Sequence, residues 1–261
     1  MVKIWKVLNR RLQSGKKRIS GRSFGTISIR HRGGALKRKY RFIEYFRQKW
    51  LNIWIYTLRI EYDPNRTAFI ALCCSIKYGI YFYILAPHKL QLGSLIQTSM
   101  SNIKNIGDSS KLESIPEGIF LNSLELFKNS GSKLSRAAGT GSIIIKQFNK
   151  KYSLVKLSSK EHRLVSKDCF ATMGSVSNLN HKLEKKLKAS DTRNKGFRPT
   201  VRGIAMNPVD HPHGGRTNGG ITCRTYSGKI GLNKSTRRKN RFSNSLIIIG
   251  QRKQKLIEKK K

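Results

Sequence analysis

Apolar positions in this chain fall in short runs separated by turn residues. SFGTISIRH (23–31) alternates apolar with polar, and YRFIEYF (40–46) follows a basic Gly-Gly turn. Alternation is the period of a strand with one face buried. IWIYTLRIEY (53–62) leads into DPNR, where Pro64 presets φ and Asp63 and Asn65 favour local bonding, so a turn is expected there. TAFIALCCSI (67–76), YGIYFYILAP (78–87) and SLIQTS (94–99) follow. Short β-rich runs with turn signals between them are the pattern of a small barrel or sandwich.

SNIKNIGDSSKLES (101–114) is polar and reads as a linker. A second β set follows it: GIFLNSLELF, GTGSIIIKQF, YSLVKLSS, HRLVS and CFATMGSVS. These are too many strands for one small barrel, so two β units are expected. NHKLEKKLKAS (180–190) can form a short basic helix. From Asp191 onward periodicity stops, with SLIIIG (245–250) as a late apolar run. The expected division is a basic arm over 1–22, one β-barrel over 23–105, a second over 106–182, and an extended basic region over 183–261.

Charge changes the picture most. The chain has 261 residues, 54 Lys+Arg against 13 Asp+Glu, and a net charge of +41. With 38% hydrophobic residues it can bury a core, yet a free globule so charged repels itself. A dense polyanion is the implied partner, and nucleic acid fits best. A membrane surface fits less well, because no long amphipathic helix gathers the cations on one face and no apolar run reaches the ~20 residues of a span. The first acid is Glu44, and none lies between Asp210 and Glu258, so both ends are cationic arms. The N-terminal segment has the composition of an organellar transit peptide, but a basic arm of the mature protein is the expectation. Cys73, Cys74, Cys169 and Cys223 form no CxxC pair and no zinc-ribbon spacing, which suggests core thiols in a reducing compartment.

Several motifs carry candidate chemistry. RHRGGALKRKYR sets Arg30, His31, Arg32, Lys37, Arg38 and Arg41 around Gly33 and Gly34. Glycine admits close backbone approach, and arginine offers forked donors to phosphate. Arg66 in EYDPNR either reaches nucleic acid or pairs with Asp63. GSKLSRAAGTG combines small residues with Lys133 and Arg136. GLNKSTRRKNRF carries Lys234, Arg237, Arg238, Lys239 and Arg241 without an acid, which suits an arm that displaces counterions. NPVDHPHGGR (207–216) holds two histidines across Pro212, which is expected to keep the chain extended with both rings on one side. Two ligands do not make a tetrahedral metal site. No phosphate loop, nucleophile elbow or HExxH motif occurs, so an enzyme would rest on Asp210, His211 and His213 alone.

RPTVRGIAMNPVDHPHGGR (198–216) closely resembles the signature of the universal ribosomal protein L-two family. GTISIRHRGGALKRKYR, EYDPNR, YILAP, LSRAAGTG, DCFATMG and NKSTRRKNRF occur in the family's order, so the resemblance runs from Gly25 to Phe242. It implies a mostly β fold: an oligonucleotide-binding-type barrel, then an SH3-like barrel, with basic irregular extensions. It implies a structural component of the large ribosomal subunit that binds rRNA near the peptidyl-transferase centre, contacts neighbouring ribosomal proteins, and supports association with the small subunit. Arg198, Arg202, Asn207, Asp210, His211, His213 and Arg216 then join the candidate RNA-binding residues, as an RNA-threading loop. No resident cofactor is expected, only magnesium carried by the RNA. The sequence departs from the family pattern at Arg216 (glycine), Asn194 (tryptophan) and Asn122 (histidine). The competing readings are a nucleic-acid enzyme using the His211/His213 loop and a free architectural nucleic-acid-binding protein. Bacterial-like motifs, with abundant Ile, Lys, Asn and Tyr, favour the mitochondrion over plastid or bacterial cytoplasm.

Overall fold

A computed structural model describes residues 12–16, 21–100, 105–215, 221–232, 237–238 and 240–250. Strands run in chain order as β1 (Gln13–Lys16), β2 (Arg22–Ser23), β3 (Thr26–Ile27), β4 (Arg38–Arg41), β5 (Trp54–Glu61), β6 (Ile70–Ser75), β7 (Tyr81–Leu85), β8 (Leu95–Gln97) and β9 (Ser109–Lys111). They continue as β10 (Phe120–Asn122), β11 (Leu124–Glu125), β12 (Ser132–Leu134), β13 (Ser142–Gln147), β14 (Tyr152–Lys156), β15 (His162–Ser166), β16 (Phe170–Met173) and β17 (Ile247–Ile249). The chain divides into two units: Met1–Lys16, Arg38–Lys185 and Phe242–Lys261 form the first, and Lys17–Lys37 with Lys186–Arg241 the second.

The first unit is mostly β and holds two main antiparallel sheets. One has the order β7-β6-β5-β8. Ile55, Ala71, Cys73, Phe82, Ile84 and Ile96 pack on one face of it, with Trp50 stacked on Phe82 at 4.3 Å. Ile70, Leu72, Tyr83, Leu85 and Val176 pack on the other. Because β6 is covered on both faces, its sequence is apolar without alternation. Burying each such side chain stabilises by about 1.5–3 kcal/mol. A bulge between Thr57 and Arg59 shifts the register of β5 against β6, so that Thr57 partners Cys73 and Arg59 partners Leu72.

The second sheet runs β17-β15-β14-β13-β10-β16-β9 around Leu112, Leu121, Leu124, Ile144, Val155 and Val165. Strands β14 and β15 form where the sequence places strands, but their inward positions are Ser153, Val155, Arg163 and Val165 rather than the leucines. Parallel bridges Leu51–Thr98 and Thr98–Ser109 carry pairing from the edge of one sheet to the other. Arg47, buried beside this junction, donates to Thr98 Oγ1 at 3.3 Å and to the Gly107 carbonyl at 3.4 Å. Burial, only partly opposed by nearby Cys73, Asp108 and Glu44, lowers its pKa.

Three expectations are corrected. The linker over 101–114 is structured in its second half: β9 pairs with β16, and Leu112 is fully buried. The helix expected over 180–190 is displaced. A 3-10 turn covers Leu179–Lys182, and the α-helix is Ala189–Asn194. Leu183 and Leu187 stay exposed, so no apolar face stabilises a helix there. Finally, 23–31 makes only the hairpin β2–β3, exposed on every strand residue, and belongs to the second unit.

Candidate nucleic-acid interface

In the second unit, 30–36 pairs with 193–198. Gly33 N–H donates to the Gly196 carbonyl at 3.0 Å, Leu36 N–H to Asn194 at 3.1 Å, and Arg198 N–H to His31 at 3.1 Å. His31 is held at φ 59° and Gly34 at φ 67°, a conformation that favours glycine at the second position. Arg32 lies over the Phe197 ring at 4.2 Å, and Arg30 over Tyr226 at 5.1 Å. Both guanidiniums are thereby pinned while remaining exposed, as are Lys37, Arg198 and Arg202. Arg193, which sequence reasoning passed over, joins the two segments by donating to the Gly33 carbonyl at 3.4 Å.

Loop 203–215 is compact rather than extended, which corrects the reading built on Pro212. The N–H groups of Asp210 and His211 donate to Asn207, that of Gly214 to His211, and that of Gly215 to Met206. The rings of His211 and His213 do come together, 4.6 Å apart and edge to face, but through successive turns. His213 N–H donates to His211 Nδ1 at 3.1 Å. Arg224 N–H donates to His213 Nε2 at 2.9 Å. A backbone N–H can only donate, so His213 Nε2 accepts, and its ring proton sits on Nδ1. The Thr222 carbonyl, 3.3 Å from the same nitrogen, is then a contact and not a hydrogen bond. The glycines are needed for closeness: a Cβ on Gly203 would meet His211 at 2.5 Å, and one on Gly214 the Asn207 carbonyl at 2.2 Å. Asn207 and Asp210 remain exposed.

Candidates in the first unit divide. Arg66 donates to Asp63 Oδ2 at 2.6 Å and to the Tyr45 hydroxyl at 2.8 Å, so of the two alternatives the internal pairing is the one formed. Burial pulls the Arg66 pKa down, but these partners outweigh it and the net shift is upward. Arg41 also faces inward, 3.7 Å from Glu61 and 3.6 Å from Asp63. Arg38 donates to the Pro64 carbonyl at 3.0 Å. Lys133 is exposed, and Arg136 is exposed above Tyr45 at 5.0 Å. Arg237, Arg238 and Arg241 are exposed. Arg216, Lys234 and Lys239 lie outside the described residues. Asn122 is buried with its Nδ2 donating to Gly174, while Asn194 closes its short helix.

Among the described residues, no group of three His, Cys, Asp or Glu side chains could hold a metal ion. The second unit contains only Asp191 and Asp210 as acids against many cations. Together with the β-rich first unit, this defines a protein built against a polyanion.

Residues 9–98 match the description "Ribosomal Proteins L2, RNA binding N-terminal domain", and residues 105–239 match "Ribosomal Proteins L2, C-terminal domain". The large ribosomal subunit protein uL2m of Dictyostelium citrinum is 60% identical over 263 residues, spanning 100% of this chain and 99% of that one. Its counterpart in Dictyostelium discoideum is 57% identical, over 99% and 98%. The large ribosomal subunit protein uL2 of Rickettsia typhi is 44% identical, over 90% and 87%. The chain belongs to the ribosomal protein L2 family.

Proposed function

We propose that this chain is an rRNA-binding structural constituent of the large subunit of a mitochondrial ribosome. The observation that carries the reading is the end-to-end relatedness to the two uL2m proteins. On this reading the first sheet belongs to an oligonucleotide-binding-type barrel (23–105), and the second, apart from its added edge strand β17, to an SH3-like barrel (106–182). The basic segments 1–22 and 183–261 thread along RNA near the peptidyl-transferase centre, apart from Gln13–Lys16 and Ile247–Ile249, which pair as β1 and β17. The exposed cations Arg30, Arg32, Arg198, Arg202, Arg237 and Arg238 then contact phosphates, and Asn207 with Asp210 meets 2′-hydroxyls, base edges or hydrated magnesium. Neighbouring ribosomal proteins, and the small subunit across the interface, are the further partners.

An enzymatic role for His211 and His213 is disfavoured by the way their nitrogens are used. His213 Nε2 and His211 Nδ1 each accept a backbone N–H, so both rings brace the loop. A free architectural protein is disfavoured because, among the described residues, no helix is long enough to read a groove; the α-helix Ala189–Asn194 has 6 residues. The test is sedimentation of the native protein from mitochondrial lysate through a high-salt sucrose cushion. Stoichiometric recovery with large subunits supports the reading, and recovery at the top of the gradient rejects it.

A further inference from the structure

The hairpin β2–β3, the segment after it and Arg198 line an open hollow of about 490 Å³ in the second unit. That is within the roughly 300–1,000 Å³ typical of small-ligand sites. Its lining combines two chemistries. Arg22, Arg30, Arg32 and Arg198 supply guanidiniums, while Ile27 and Ile29 supply aliphatic surface. The isoleucines are 65% and 56% exposed. Arg22 and Ile27 are direct partners across the hairpin, so cation and aliphatic group project to the same side.

We propose that this pocket receives a single unpaired rRNA nucleotide, its phosphate held by the arginines and its base laid on Ile27 and Ile29. The proposal rests on the ribosomal reading above. A duplex backbone needs only a convex cationic surface and leaves an aliphatic floor wet. An extruded nucleotide offers both halves of the match: an anion for forked guanidiniums and an apolar base face for the isoleucines. The His31 side chain, also on the wall, adds a hydrogen-bonding group for a base edge. Stacking on Phe197 and Tyr226 has already restricted Arg32 and Arg30, so less side-chain freedom is lost when the anion arrives.

The test is a photo-crosslink within assembled subunits. Ile29→p-benzoylphenylalanine is expressed in the full chain, large subunits are purified and irradiated, and rRNA adducts are mapped by reverse transcription. The expected result is one dominant adduct at a nucleotide that base-specific chemical probing of unmodified subunits finds unpaired. Combining Arg30→Ala with Arg198→Ala should reduce that adduct at least tenfold in subunits that still contain the protein. In subunits with those two substitutions but the native Ile29, the same base should become more reactive. Adducts spread along a paired helix, or adducts to protein alone, overturn the nucleotide pocket and leave the ribosomal reading standing. Absence of the protein from large subunits would instead remove that reading itself.

Discussion

His213 Nε2 receives the Arg224 backbone N–H at 2.9 Å, which ties the glycine-rich loop to the turn that follows it. The contact makes His213 a brace between two stretches of irregular chain. His213→Ala should therefore loosen 221–232 and slow late subunit assembly. His213→Gln, whose carbonyl can accept the same N–H, should recover part of the loss. Peptidyl transfer by fully assembled variant ribosomes should fall less than about tenfold, since loss of a general acid–base group typically costs about 10²–10⁴-fold. Single-turnover kinetics decide it. A drop in that larger range, with RNA structure intact by chemical probing, revives a catalytic histidine.

Gly214→Ala should block assembly far more than Gly15→Ala. The first places a Cβ 2.2 Å from the Asn207 carbonyl, whereas the second meets nothing within 4 Å. Quantitative mass spectrometry of large subunits from cells expressing both variants measures incorporation directly. Equal incorporation would contradict the closed loop.

Arg66 and Lys133 should separate stability from RNA affinity. Arg66→Ala leaves Asp63, whose side chain is 0% exposed, with the more distant Arg41, and should destabilise the full chain by about 3 kcal/mol. Lys133→Ala should change unfolding by no more than about 0.5 kcal/mol. It should also lower the slope of log affinity against log salt by about one unit. Denaturant unfolding and salt-dependent RNA binding read the two effects. A normal unfolding midpoint for Arg66→Ala would show that its pairing is dispensable.

His162 should make the first unit acid-sensitive. Burial, reinforced by Lys156 directly across the strand pair, lowers its pKa. The unfolded chain takes up this proton first as pH falls. Stability from neutral His162 is thus present above the ordinary value of about 6.5 and lost as pH drops toward the folded value. His162→Leu should flatten this part of the profile when melting is followed from pH 7.5 to 5. Superimposable profiles for the two proteins would reject the assignment.

How far the fold could be read from sequence depended on where backbone groups found their partners. The apolar run of β6 announces burial directly, whereas in β14 and β15 the buried positions include Ser153 and Arg163 while Leu154 and Leu164 are only half-buried. By contrast, β9 is made of Ser109, Ser110 and Lys111, residues that read as a linker. It is a strand because Ser109 Oγ donates to the Ala171 carbonyl and the backbone pairs with β16. The candidate interface shows the same split. Its cations were visible as composition, but the choice for Arg66 between nucleic acid and Asp63 stayed open until Asp63 proved to be buried beneath it. The joining of 30–36 to 193–198 rests largely on backbone bonds across a long sequence separation, for which side-chain pattern gives no signal.

Strand β17 completes the edge of the second sheet by pairing with β15, yet it comes from Ile247–Ile249, beyond all of the cationic second unit. During synthesis, β15 therefore emerges long before its last neighbour and waits with one row of N–H and carbonyl groups open. A chain cut short anywhere before Ile247 keeps that row exposed, the kind of unpaired edge that templates aggregation. Pairing of Ile247 and Ile249 with β15 is therefore what closes this edge, and its loss would favour association with other chains over packing within this one.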